Sequence, residues 1–172
     1  GNRAVINSIE NAEDDTLEAT KIVLKKLINS QDILIGLAAS GNTPFTCKVL
    51  EEAYKKKALT IAISNNPNGK LLEFGKCKII LDTKEELIAG STRLKAGTAQ
   101  KLILNMISTI SMILDGHVRG NKMIDMQMSN AKLNKRARRI LMEELGVDEQ
   151  KADKLIVKYQ SIRSAIDNYS NE

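Results

Sequence analysis

The sequence predicts an α/β fold with a parallel sheet and a small helical C-terminal appendage, on three observations. Short apolar, β-branched runs alternate with helix-period segments in the first half of the 172-residue chain. A Ser-Gly-Asn-Thr turn joins one such run to a segment opened by Pro44. Beyond residue 130 the apolar runs give way to three short helix-period segments.

Each element follows from its residues. Residues 15–29 place Leu17, Ile22, Val23, Leu27 and Ile28 on one helical stripe. The run ILIGLA at 33–38, bounded by polar residues, reads as a buried parallel strand. A polar turn at 39–43 follows, with Thr43 as N-cap and Pro44 at the first helical position of a helix to about Lys57. Leu59 to Ile63 reads as a second strand, closed by the turn-rich SNNPNGK at 64–70. Lys78 to Leu81 supplies a third. Gly90 to Gly97 reads as a polar loop, and Thr98 to Leu114 as a long, mostly buried helix, since its all-round apolarity implies burial against a sheet or a partner subunit. Segments 132–145, 149–159 and 161–169 complete the appendage, so the division falls at 1–130 and 131–172.

Composition narrows the function. No apolar run reaches the roughly 18 residues a membrane span requires, and no signal peptide is recognisable. The chain begins at Gly1 without an initiator Met and reads as part of a longer protein. Cys47 and Cys77 lack metal-ligand spacing and are expected as reduced thiols of a cytoplasmic protein. His117 is the only histidine, which leaves a zinc site almost no ligands. The net charge of +5 can draw phosphorylated small molecules or nucleic acid without choosing between them. The few aromatics (Phe45, Phe74, Tyr54, Tyr159, Tyr169) cannot build a single-strand stacking platform. Lys135, Arg136, Arg138 and Arg139 read as a solvated helix face, so neither a nucleic-acid nor a membrane partner is expected. The six methionines read mostly as core fillers.

Three stretches carry candidate chemistry. In the strand–turn–helix ILIGLAASGNTPF, the turn residues Ser40, Gly41, Asn42 and Thr43 offer hydroxyls, backbone N–H groups and a helix start, a set that binds an anion such as phosphate. Gly41 lets a backbone approach closely. An ordinary βα turn with a Thr cap accounts for the same residues. The stretch lacks both the Walker and the dinucleotide glycine patterns. In AGSTRLKAGTAQK, Ser91, Thr92, Arg93 and Lys95 put two hydroxyls and two cations on one loop, Arg suiting bidentate contacts and Lys a point charge. A capping loop with solvated bases is the alternative. In SIENAEDD, Glu10 and Glu13 stand three apart and share a face if helical. Carboxylates beside a sugar can serve as general acid or base, although acidic residues at a helix start more often complement its dipole.

Taken together, LIGLAASGNTPF, TIAISNNP, AGSTRLKAGTAQKLILNMIST and GNKMIDMQMSNAKL resemble the corresponding segments of N-acetylmuramic acid 6-phosphate etherases. These are sugar isomerase (SIS) domain proteins with a flavodoxin-like parallel-sheet sandwich, related to the vertebrate glucokinase regulatory protein. The resemblance spans about residues 1–140. It implies a sugar-phosphate ligand, cleavage of the D-lactyl ether in cell-wall recycling, no metal or organic cofactor, and a homodimer. It implies that Glu13 is a catalytic acid/base and that Glu10 contacts the sugar. Ser40, Gly41, Asn42 and Thr43 would join Ser91, Thr92, Arg93 and Lys95 around the substrate. Many such proteins carry Arg where this chain has Asn42, and they carry an upstream strand, a phosphate loop and another catalytic glutamate that these residues do not include. The 172 residues are therefore expected to be inactive alone. The three-helix tail resembles, loosely, a ubiquitin-associated fold. A non-catalytic sugar-phosphate sensor is the main alternative. An isomerase on the same fold is disfavoured by the GSTRLKAGTAQK stretch.

Overall fold

The computed structural model describes residues 2–169. The chain divides into two compact units, 1–104 and 105–172, and the division falls inside a helix, upstream of the expected position near 130.

The first unit is the expected α/β layer. Helix α1 (Thr16–Lys25) starts where Asp15 accepts the Glu18 N–H at 2.8 Å. Strand β1 (Ile33–Ala38) leads into α2 (Pro44–Lys55), β2 (Leu59–Ser64) and β3 (Cys77–Ile80). The sheet is parallel in the order β1-β2-β3, with Ile33 opposite Leu59, Ala38 opposite Ser64 and Ile61 opposite Cys77. Leu50 of α2 and Leu71 of a 3-10 turn (Lys70–Phe74) both pack onto Gly36, each at 3.1 Å from the position of a β-carbon there. Ala38, Cys47, Ala62 and Leu72 complete this core. Thr60 is buried beneath it and accepts the Lys76 N–H at 3.1 Å, which satisfies its hydroxyl. On the opposite face Ile33, Ile35 and Leu59 are exposed at the strand starts, whereas Ile63 towards the end of β2 is fully buried.

Helix α3 (Lys95–Leu114) begins three residues earlier than expected and differs in burial. Its one buried residue is Ala96, whereas Leu102, Met106, Ile110 and Met112 are exposed. All-round apolarity signals a neighbour on every side, and among the described residues only one stripe, with Ile103 and Ile107 half-buried, is covered.

The second unit holds the end of α3, a hairpin of β4 (Val118–Arg119) and β5 (Lys122–Met123), and the helices α4 (Ala131–Leu145), α5 (Glu149–Tyr159) and α6 (Ile162–Tyr169). Asn130 caps α4 through the Leu133 N–H at 3.0 Å, Asp148 caps α5 through the Lys151 N–H at 2.7 Å, and Gly146 closes α4 at φ 65°. Ile140, Leu141, Leu155, Ile162 and Ile166 form the core, joined by Ile124 and flanked by Met126 and Met128. That packing draws residues before 130 into the helical unit. Lys122 pairs with Glu144 at 2.8 Å and Arg138 with Asp153 at 2.7 Å, tying the hairpin and α5 to α4. Met106, Met112 and Met123 are exposed rather than core fillers, while Met126, Met128 and Met142 line the helical core. Both cysteines are free thiols, Cys47 buried and Cys77 exposed. No helix among the described residues is long and apolar enough to cross a membrane.

Candidate functional site

The strands point their carboxyl ends toward two chain segments rich in hydroxyls and amides, where open α/β sheets gather ligands. The first is the turn after β1. Gly41 adopts φ +70°, and a β-carbon there would lie 2.5 Å from the Gly69 Cα and 2.6 Å from Ser64 Oγ. The close approach that makes glycine necessary is therefore to the chain's own turn after β2. The Gly41 carbonyl accepts the Leu71 N–H at 2.8 Å, and Asn66 Nδ2 donates to the Ser40 carbonyl at 3.0 Å. Ser40 is exposed, and its Oγ accepts the Asn42 N–H at 3.1 Å.

Asn42, expected beside the substrate, uses its side chain structurally: Oδ1 accepts the Lys70 N–H at 3.0 Å. Thr43 occupies the N-cap of α2 but its side chain makes no capping bond. Helix α2 therefore opens, behind Pro44, without a side-chain cap from Thr43.

The second segment is the loop into α3. Gly90 takes φ +76°, and the loop folds on itself, with the Ser91 N–H on Ile88 O at 3.0 Å and the Thr92 N–H on Gly90 O at 2.9 Å. Ser91 is half-buried, whereas Thr92, Arg93 and Lys95 are exposed. Arg93 and Lys95 make no ion pair among the described residues, although the Lys95 charge acts on the Glu86 carboxylate. Arg93, Lys95, Thr98 and Leu102 line a cavity of about 620 Å³. A second cavity of about 570 Å³ at the strand ends is lined by Asn65, Asn66, Pro67, Asp82, Lys84 and Glu85. The Ser40–Thr43 turn lines neither of these two cavities.

Glu10 and Glu13 do not share an α-helical face. Glu10 sits in a turn and accepts the Ser8 hydroxyl at 3.1 Å, and Glu13 lies in a 3-10 turn (Ala12–Asp14) that packs on α2. Asn11 between them is left-handed at φ 62°, which breaks the helical spacing. Both glutamates are exposed.

Three residues outside the expected set hold the region together. Asn65, at the end of β2, donates from Nδ2 to Leu81 O at 3.0 Å and accepts Gln100 Nε2 at 3.0 Å, while its N–H reaches Ala39 O at 3.1 Å. It thus links the β1 turn, the exit of β3 and α3. Glu86 accepts the N–H groups of Lys95 and Ala96, each at 2.9 Å. The asparagine pair in TIAISNNP was the visible signal for the first. Nothing in the local sequence marks Gln100 or Glu86.

No group of three or more His, Cys, Asp and Glu side chains able to hold a metal ion occurs among the described residues.

A family model for the SIS domain matches residues 18–110. An N-acetylmuramic acid 6-phosphate etherase of Christiangramia forsetii is 44% identical over all of this chain and 63% of its own length. An etherase of the same name from Bacteroides thetaiotaomicron is 44% identical over 98% of the chain and 61% of its own length. One from Deinococcus radiodurans is 43% identical over 88% of the chain and half of its own length. The chain thus spans less than two thirds of these relatives.

Proposed function

The chain belongs to the SIS domain family, and on that premise we propose that the protein it forms part of is an N-acetylmuramic acid 6-phosphate etherase, a carbon–oxygen lyase. The reading is carried by relatives of that name that match the chain at 44% identity over 98–100% of its length. The cations of Arg93 and Lys95 beside the Ser91 and Thr92 hydroxyls support a sugar-phosphate ligand, because Arg offers bidentate and Lys point-charge contacts.

The reaction is an elimination followed by hydration. The sugar ring opens to the aldehyde, a base removes the C2 proton, and the C3–O bond breaks to release D-lactate. Water then adds across the C2–C3 double bond, its hydroxyl at C3 and its proton at C2, to give N-acetylglucosamine 6-phosphate. Glu13 serves as an acid/base group in these proton transfers, and Glu10 binds sugar hydroxyls. Ser91, Thr92 and Arg93 bind the phosphate, with Lys95 adding charge, and the Ser40-Gly41-Asn42-Thr43 turn completes the pocket. The protein acts in the cytoplasm as a homodimer. The family resemblance implies a phosphate loop and a further glutamate that these 172 residues do not include, and turnover is expected to need them.

Incubation of the full-length protein with N-acetylmuramic acid 6-phosphate, assayed for D-lactate, tests this reading. Lactate release that falls by about 10²- to 10⁴-fold in Glu13→Ala would support the lyase and the role of Glu13. Saturable sugar-phosphate binding without lactate would replace the enzyme with a sensor.

A further inference from the structure

Glu86 lies between β3 and α3 with its side chain half-buried. Its Oε2 accepts the Lys95 N–H and its Oε1 the Ala96 N–H, both at 2.9 Å. These donors stand at the start of a 20-residue helix, where no intrahelical carbonyl can satisfy them and where negative charge complements the dipole. The Ala96 amide, then that of Lys95, holds the Glu86 carboxyl below the usual carboxylate range. Between Glu86 and α3 the loop closes turn upon turn, with the Leu94 N–H on Ser91 O at 3.2 Å and the Gly97 N–H on Thr92 O at 2.8 Å. One turn into the helix, Gln100 Nε2 is bound to Asn65 Oδ1 at 3.0 Å, and Asn65 Nδ2 holds Leu81 O at 3.0 Å on the way into the loop. The segment bearing Ser91, Thr92 and Arg93 is therefore clasped twice, and Glu86 is the inner clasp.

We propose that Glu86 is a positioning residue of the sugar-phosphate site: its grip on two successive amides of α3 sets where Ser91, Thr92 and Arg93 stand. The inference rests on the etherase reading for its substrate. A helix start filled by the chain's own carboxylate does not offer those amides to a phosphate. The substrate's anion is met instead by the side chains of the clasped loop, and Arg93, with no ion pair among the described residues, is its cationic partner. Loosening the clasp moves these groups without removing any of them, so substrate affinity suffers before the chemical step does.

The test compares Glu86→Ala and Glu86→Gln with the unaltered full-length protein. It reads KM and kcat for lactate release, affinity for N-acetylglucosamine 6-phosphate by calorimetry, and amide exchange across residues 88–96. Glu86→Ala should raise KM by about tenfold or more while kcat changes by less than about threefold. The Lys95 and Ala96 amides should exchange faster, with those of β1 and β2 unchanged. Glu86→Gln keeps one acceptor and should raise KM by about threefold, and it carries the comparison if the alanine variant fails to fold. A lower melting temperature with unchanged KM would overturn the proposal and reduce Glu86 to a helix cap. If the unaltered protein binds the sugar phosphate without releasing lactate, the etherase reading falls. About tenfold weaker binding by Glu86→Ala would then uphold the positioning role, and equal binding would overturn it. Absence of both turnover and binding in the unaltered protein overturns both.

Discussion

Gly41 and Gly69 meet backbone to backbone, so closely that a β-carbon on Gly41 would fall 2.5 Å from the Gly69 Cα and one on Gly69 would fall 2.6 Å from the Gly41 Cα. The two turns leaving β1 and β2 are pressed together at this point. Gly41 also adopts φ +70°, which costs a residue with a side chain about 1–2 kcal/mol before any clash. Gly41→Ala should therefore destabilise the first unit more than Gly69→Ala, and the two changes together should cost less than their sum because they strain one contact. Urea midpoints of the single and double variants decide this. Equal and additive costs would refute it.

Arg93 is expected to bind phosphate through its planar fork. Arg93→Lys should raise KM for the sugar phosphate by about tenfold, and Arg93→Ala by about a hundredfold, with the melting temperature unchanged because the side chain pairs with no described residue. Steady-state kinetics on the full-length protein reads the effect. A KM that stays constant in both variants would remove Arg93 from the site.

In the second unit His117 stands between two carboxylates, with Nδ1 2.6 Å from Asp125 and Nε2 2.9 Å from Asp115. Asp125 is also held by Arg163, which reaches the Gly116 carbonyl at 2.6 Å. Asp125 foremost, then Asp115, raises the His117 pKa above its ordinary value, while Arg163 foremost, then His117, lowers Asp125 to about 2. Asp167, which acts on Arg163, completes the charged groups around the cluster. The raised histidine contributes stability that is complete below about pH 6.5 and is lost as pH rises through its folded value. The depressed aspartate contributes stability present above about pH 4 and lost as pH falls toward its folded value. The unit should accordingly be most resistant to urea between about pH 4 and 6.5, and His117→Gln should flatten the decline on the alkaline side. An unchanged alkaline slope in that variant would count against the assignment.

Leu141 is fully buried among Ile140, Leu155, Ile162 and Ile166. Leu141→Ala should cost about 2–5 kcal/mol. Because Leu50 and Leu71 belong to a different core, amide exchange should accelerate in α4 to α6 and not in β1 and β2. Uniform acceleration across both units would contradict separate cores.

The strands were readable because β-branched runs bounded by turn residues leave little else for the chain to do, and ILIGLA forms β1 over the same six residues. The three C-terminal helices were readable from their helix-period segments, because that spacing is a local property of the chain. The start of α3 was not, because its cap is Glu86, nine residues before Lys95. The β4–β5 hairpin escaped notice since strands of two residues carry no alternation. In the site, glycine and hydroxyl-rich turns stood out in the sequence. The Asn65–Gln100 pair did not, since 35 residues separate its partners and only the folded sheet brings them together. The apolar surface of α3 follows the same logic: composition reports what a helix needs beside it, and not which neighbour supplies it.

The apolar patch at the strand starts has a consequence for handling the molecule. Parallel sheets are ordinarily covered on both sides, yet here Ile33 is 62% exposed, with Ile35 and Leu59 beside it. Each square ångström of such surface left in water forgoes about 25 cal/mol. At a high enough concentration the molecules will hide it against whatever greasy surface is nearest. Solutions of these 172 residues should therefore scatter light increasingly on concentration, brighten a dye such as anilinonaphthalene sulfonate, and clear when Ile33 and Leu59 are both replaced by threonine.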